Sequence, residues 1–95
     1  MEPHYQDWQQ VLDLIQRSQS TEQQAMLMTM LLTPDEREAV TARVNILCEL
    51  LKGDMSQRQI SQMLGVGVAT ITRGSAEVKR LADKDKNELS DLLLK

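Results

Sequence analysis

The residues of this chain that could do chemistry are suited to recognition rather than to bond making. There is one histidine, His4, near the N-terminus, and one cysteine, Cys48. No set of side chains has metal-ligand spacing and no nucleophile motif occurs, so an enzyme and a metal site are not expected. Recognition chemistry is concentrated in residues 57–76. Gln57 and Arg58 open one short helical stretch and suit phosphate contacts. Val68, Ala69, Thr70 and Thr72 open the next with small and hydroxyl side chains. Small residues let a helix approach the floor of a DNA major groove, and a threonine can reach a base edge or a phosphate. Ile60, Leu64, Val66 and Ile71 fall where a helix-turn-helix needs apolar residues to lock its two helices. Gly65 falls where its turn needs a left-handed backbone.

One lock position fails. Within ATITRGSAEVKR, residues 69–80, Gly74 stands where a helix would carry a bulky core residue. A glycine inside a helix costs about 1 kcal/mol relative to alanine. Either a kink or close helix crossing requires it, or a ligand fills the missing volume. Arg43 raises a similar question, because it lies beside the apolar stripe of a long helix. An acid on a neighbouring helix or a ligand could account for it. For Arg73 the choice is between a DNA phosphate and a ligand.

The elements that must position these groups are all helical. Apolar residues at 8, 11, 12, 14 and 15 predict a helix over roughly 6–18. Thr21 starts a second helix running through Met30. Thr33-Pro34-Asp35-Glu36 is a capping box with proline at the first helical position and acids at the positive end of the dipole. Val40, Val44, Leu47 and Leu51 then recur at helical spacing, widened by Ala39, Ile46 and Leu50, until Gly53 stops the helix. Ser56 and Gln59 form a second capping box before helix 57–64, with Ile60, Met63 and Leu64 inward. A helix from Val68 to about Arg80 follows the Gly65-Val66-Gly67 turn. Asp83 to Glu88 reads as a solvated loop, and Glu88 to Leu94 as a last helical segment. The alternation across Gly67 to Ile71 is brief and glycine-bounded, so no strand is expected.

The 95 residues suit a single all-α domain, 1–95. Aromatic residues are 2% of the chain, so the core must be aliphatic, with the methionines filling gaps and Cys48 buried as a small hydrophobe. Trp8 reads as a core or dimer anchor. So small a core is weakly stabilising for a lone chain, which favours oligomers. The single cysteine excludes an intrachain disulfide. The polar N-terminus is no signal peptide, and the apolar run Met26–Leu32 is too short for a membrane span, so a cytoplasmic protein is expected. The net charge of −3 hides an asymmetry. Residues 1–51 hold three Lys/Arg against eight Asp/Glu, whereas residues 52–80 hold five against two. The basic segment coincides with the helix-turn-helix, which points to nucleic acid.

Four stretches, LLTPDEREAV (31–40), TARV (41–44), ELLKGDMSQRQI (49–60) and LGVGVATITRGS (64–75), carry a resemblance. In them the chain resembles the bacterial tryptophan (Trp operon) repressor family, without gaps from about Trp8 to the C-terminus. The resemblance implies a six-helix intertwined homodimer. Its dimer core would come from 6–53 and 86–95 and its helix-turn-helix from about 56–80. It implies L-tryptophan as a non-covalent corepressor, no metal, double-stranded operator DNA as partner, and control of tryptophan biosynthesis or transport genes. Arg43 and Arg73 would sandwich the indole, and Arg73 and Thr33 would bind the ligand carboxylate. The carbonyls of Met30 and Leu32 of a second copy would accept from the ammonium. Gly74 would let the ring lie against the helix backbone. A guanidinium is suited to both tasks, stacking on aromatic faces and pairing with carboxylates.

Two positions depart from the family pattern. Glu77 replaces a serine near the ligand ammonium, where a carboxylate either pairs with that ammonium or remains exposed. Ser61 replaces a basic residue that contacts DNA, which bears on phosphate binding and base preference. A regulator of the same fold with a different ligand, or none, is the alternative function. A helical module that binds protein is a third class, and it predicts no salt-dependent DNA affinity.

Overall fold

A computed structural model describes all 95 residues, Met1–Lys95. They form six helices and no strand: α1 Trp8–Gln16, α2 Thr21–Leu31, α3 Pro34–Lys52, α4 Gln57–Leu64, α5 Val68–Arg80 and α6 Asp83–Leu94. The chain divides into two compact units, Met1–Arg37 and Glu38–Lys95.

In the first unit, side-chain caps set the helix starts. The Asp7 carboxylate accepts from the Gln10 N–H at 2.9 Å and the Ser20 hydroxyl from the Gln23 N–H at 3.0 Å. The expected capping box ahead of α3 is complete. Thr33 N–H donates to Glu36 Oε1 at 2.8 Å, and Glu36 N–H donates to Thr33 Oγ1 at 3.2 Å. The Arg37 guanidinium donates to the carbonyls of Thr29 and Leu32, both at 3.0 Å, neutralising the C-terminal end of α2. No residue of this unit is buried, and Trp8 is 69% exposed. The expectation of Trp8 as a core residue therefore fails within one chain, since nothing covers it there.

The second unit is organised around Ile46 of α3, Ile60 of α4 and Ile71 of α5, the last two with no exposed surface. Leu50, Met55, Leu64 and Val66 pack against them. Fully burying Ile60 and Ile71 contributes about 1.5–3 kcal/mol each, so this pair is the main lock of the helix-turn-helix. Ser56 and Gln59 close the second capping box, at 3.1 and 2.8 Å. Gly65 ends α4 with φ 67°, and its N–H donates to the Ser61 carbonyl at 2.9 Å.

Three further expectations are corrected. Met63 is 52% exposed rather than inward. Ile60 and Leu64 take the covered face of α4, and Met63 lies one residue round the helix from Leu64, outside that cover. The segment Asp83–Glu88 is not a loop but the first half of α6. Asp83 and Asp85 sit in its first turn, where acids favour the helix dipole, and Lys86 N–H donates to the Ala82 carbonyl at 3.0 Å. Cys48 is half-buried rather than buried, with Sγ 4.0 Å from the Leu93 carbonyl oxygen.

Candidate functional site

A cleft of 330 Å³ opens between α3 and α5, lined by Arg43, Ile46, Leu47, Thr70, Arg73, Gly74 and Glu77. The helical repeat builds both walls. On α3, Arg43, Ile46 and Leu47 fall at i, i+3 and i+4. On α5, Thr70, Arg73, Gly74 and Glu77 fall at i, i+3, i+4 and i+7, a single stripe. Four residues singled out in the sequence, Arg43, Arg73, Gly74 and Glu77, thus meet in one place. Ile46 and Leu47 supply an apolar floor. The volume lies within the usual range for ligand clefts, about 300–1,000 Å³.

The charges around the cleft are unevenly satisfied. Salt bridges join Lys52 to Glu49, Arg80 to Glu77 and Lys95 to Asp91. Arg43 belongs to none of them, so within one chain no acid of a neighbouring helix pairs with it. Arg73 has no carboxylate partner and reaches only Thr70 Oγ1, at 3.5 Å, the outer limit of a hydrogen bond. Glu77 is exposed and paired with Arg80 at 3.2 Å on its own helix. At Gly74, an added Cβ would lie 3.4 Å from Ile46 Cγ2 and 3.6 Å from Leu50 Cδ1. Those are ordinary contacts, so the approach of α3 does not by itself demand a glycine.

The residues expected at DNA are distributed over α4 and α5. Arg58, Val68, Ala69 and Thr72 are exposed, whereas Gln57, Ser61 and Thr70 are half-buried. The Thr72 hydroxyl lies 2.7 Å from Gln57 Oε1 and 3.0 Å from the Val68 carbonyl, either of which can accept its proton. This ties the start of α4 to α5. Ser61 turns its hydroxyl inward and donates to the Val66 carbonyl, bracing the turn. No side chain caps α5, whose first turn follows Gly67 directly.

The other three expected ligand residues, Met30, Leu32 and Thr33, belong to the first unit. Met30 is exposed. The Leu32 carbonyl already accepts from Arg37, but a carbonyl oxygen has a second lone pair. Thr33 Oγ1 accepts from Glu36 N–H. The cap holds the Glu36 carboxyl below its ordinary value of 4.5, mainly through the Thr33 backbone N–H and then through the Thr33 hydroxyl.

Thr70 is the cleft residue that sequence reasoning placed elsewhere. Its signal was the i, i+3, i+4, i+7 register with Arg73, Gly74 and Glu77. A larger hollow, 540 Å³, is lined by His4, Tyr5, Gln10, Asp13 and Arg17. It has no apolar floor, and Arg17 there already donates to the Tyr5 hydroxyl at 2.9 Å. No group of three or more His, Cys, Asp or Glu gathers where it could hold a metal. No helix is long and apolar enough to cross a membrane.

A family model described as Trp repressor protein matches residues 6–93. A Trp operon repressor homolog of Vibrio campbellii is 66% identical over 92 residues, covering 97% of this chain and 92% of the relative. Homologs of the same description in Vibrio cholerae and Aliivibrio fischeri are each 60% identical. They cover 98% and 96% of this chain, and 90% and 84% of their own.

Proposed function

The chain belongs to the Trp repressor protein family, which consists of regulators rather than enzymes, and from that premise we propose a repressor that binds operator DNA when L-tryptophan occupies the α3–α5 cleft. The observation that carries this reading is the pair of guanidiniums, Arg43 and Arg73, flanking an apolar-floored cleft with no carboxylate partner of their own. A planar, apolar ligand ring with an attached carboxylate meets that arrangement. The ring stacks on guanidinium faces above Ile46 and Leu47, and Arg73 takes the carboxylate by charge-assisted hydrogen bonds. Gly74 leaves room for the ring against the α5 backbone. Thr33 donates to the same carboxylate, and the carbonyls of Met30 and Leu32 of a second copy accept from the ligand ammonium.

A homodimer is part of the proposal. A unit without one buried residue lacks the hydrophobic term needed to offset chain entropy. Trp8, Leu12, Met26, Met30 and Leu31 are among its exposed apolar side chains, and Val40, Val44, Leu92 and Leu94 are exposed in the other unit. Two copies covering these surfaces would complete the core. The dimer would present two α5 helices to successive major grooves, about 34–36 Å apart in helix-turn-helix dimers, for which Trp repressors are a standard example. Val68, Ala69, Thr70 and Thr72 would face base edges, and Gln57, Arg58 and Ser61 the backbone. Ligand binding would favour the arrangement with that spacing, a population shift. The genes controlled would be those of tryptophan synthesis or uptake, in the cytoplasm.

A DNA mobility assay over a palindromic tryptophan-type operator, with and without L-tryptophan, tests the proposal. The expected result is a ligand-dependent shift that Arg43→Ala abolishes while the fold persists. Equal binding with and without tryptophan would leave a helix-turn-helix regulator with another ligand or none.

A further inference from the structure

We infer that Ser61 is a positioning residue for base reading: it acts at DNA by fixing how α5 leaves the turn, and not by bonding to a phosphate. The inference rests on the helix-turn-helix reading above and goes beyond it in naming what sets the aim of α5. The start of α5 has no fixture of its own, since no side chain caps it and it follows Gly67 directly. The Ile60–Ile71 contact holds α4 and α5 together. Apolar contact is non-directional, however, and leaves α5 free to pivot about it. Polar bonds must supply the direction. The Thr72–Gln57 bond is exposed, so water competes for it. The bond from Ser61 is half-buried.

Ser61 grips the turn through both its backbone and its side chain. Its carbonyl accepts from Gly65 N–H at 2.9 Å and from Val66 N–H at 3.3 Å. Its hydroxyl donates to the Val66 carbonyl. Both ends of Val66 are therefore tied to one residue of α4, just ahead of Gly67 and the first turn of α5. The side-chain bond also commits the only proton of the hydroxyl. A phosphodiester oxygen can only accept, so Ser61 faces the DNA backbone without donating to it while the turn is closed. Without the hydroxyl, the Val66 carbonyl loses this donor, and a peptide free to tip carries Val68 and Ala69 with it.

The test compares the full-length wild type with Ser61→Ala by two readouts. One is amide hydrogen exchange of the free protein. The other is a mobility assay, with L-tryptophan present, over the palindromic tryptophan-type operator and over copies with one base pair changed opposite α5. In Ser61→Ala the Gly65, Val66 and Thr70 amides should exchange about fivefold faster, the size of one net hydrogen bond. Amides of α3 and helix content by circular dichroism should not change. The preference for the operator over its altered copies should fall about fivefold per half-site, because a mis-aimed helix relaxes base reading. A lost phosphate contact weakens binding evenly across sequences instead. An even loss, an unchanged preference, or unchanged exchange overturns the inference and leaves the DNA-binding reading standing. Failure of the wild type to bind the operator overturns the two together.

Discussion

Replacing Gly74 with alanine separates the two explanations of that glycine. The added Cβ would sit 3.4 Å from Ile46 Cγ2 and 3.6 Å from Leu50 Cδ1, in ordinary contact with α3. Nothing has to move, so the helix-propensity gain should be realised in full, about 0.5–1 kcal/mol. For a chain of this size that raises the melting temperature by about 2–8 °C. The same methyl would stand in the wall against which the ligand ring lies. Overpacking of that kind costs about 1–3 kcal/mol, or about 5- to 150-fold in tryptophan affinity. Thermal melts at matched protomer concentration and calorimetric titration with L-tryptophan read the two effects separately. A variant that is more stable and binds more weakly fits a glycine kept for the ligand. A variant that is less stable would show that the helix crossing needs the glycine. One that is more stable with unchanged affinity would show that the ring does not rest there.

Two other measurements follow from the structure. Ile71→Ala should destabilise the protein by about 2–5 kcal/mol in urea unfolding, whereas Met63→Ala should cost under about 0.5 kcal/mol, and equal costs would contradict the burial assigned to them. Glu36 has its folded-state pKa depressed, so its contribution to the α3 cap is present above the ordinary value of 4.5 and is lost as pH falls through the lower folded value. Thr33→Ala should leave most of that depression in place, because the backbone N–H is the larger cause, and an NMR titration that found it abolished would reverse the order.

The local grammar of this fold was legible because it is written in short-range chemistry. Thr33–Glu36 and Ser56–Gln59 announce helix starts through bonds spanning three residues, and Gly65 announces a turn through its backbone alone. The Ile60–Ile71 lock followed from the spacing of the helix-turn-helix. Arg43 and Arg73 could be placed at one ligand only through the family resemblance, since they are thirty residues apart and nothing local links them. Elsewhere, local cues misled. Asp83–Glu88 carries no apolar periodicity, yet acids in a first turn are what a helix start favours. Residue type pointed Thr70 and Ser61 to DNA, and the structure adds that Thr70 also lines the cleft and that Ser61 bonds the Val66 carbonyl. Whether each hydroxyl turns to the cleft, the turn or the groove depends on which neighbour packs against the helix, and a single sequence does not state that.

The arrangement of α5 suggests how one small ligand could control a distant surface on the proposed reading. Ile71, Ser75 and Val78 form its covered side, Thr70, Arg73, Gly74 and Glu77 its cleft side, and Val68, Ala69 and Thr72 its outward side. The helix therefore cannot shift at the cleft without re-aiming its outward side. It would not move alone. The Ile60–Ile71 contact, the Thr72–Gln57 hydrogen bond and the Ser61–Val66 brace tie α4 to α5, so the two helices would move as one body against α3. The backbone between α3 and α4 already turns at Gly53, with φ 72°, which makes residues 53–56 the natural pivot. A ligand wedged between α3 and α5 then has to supply only the free-energy difference between two tilts of that body. About 1.4 kcal/mol of differential affinity changes the ratio of operator-competent to incompetent tilts tenfold.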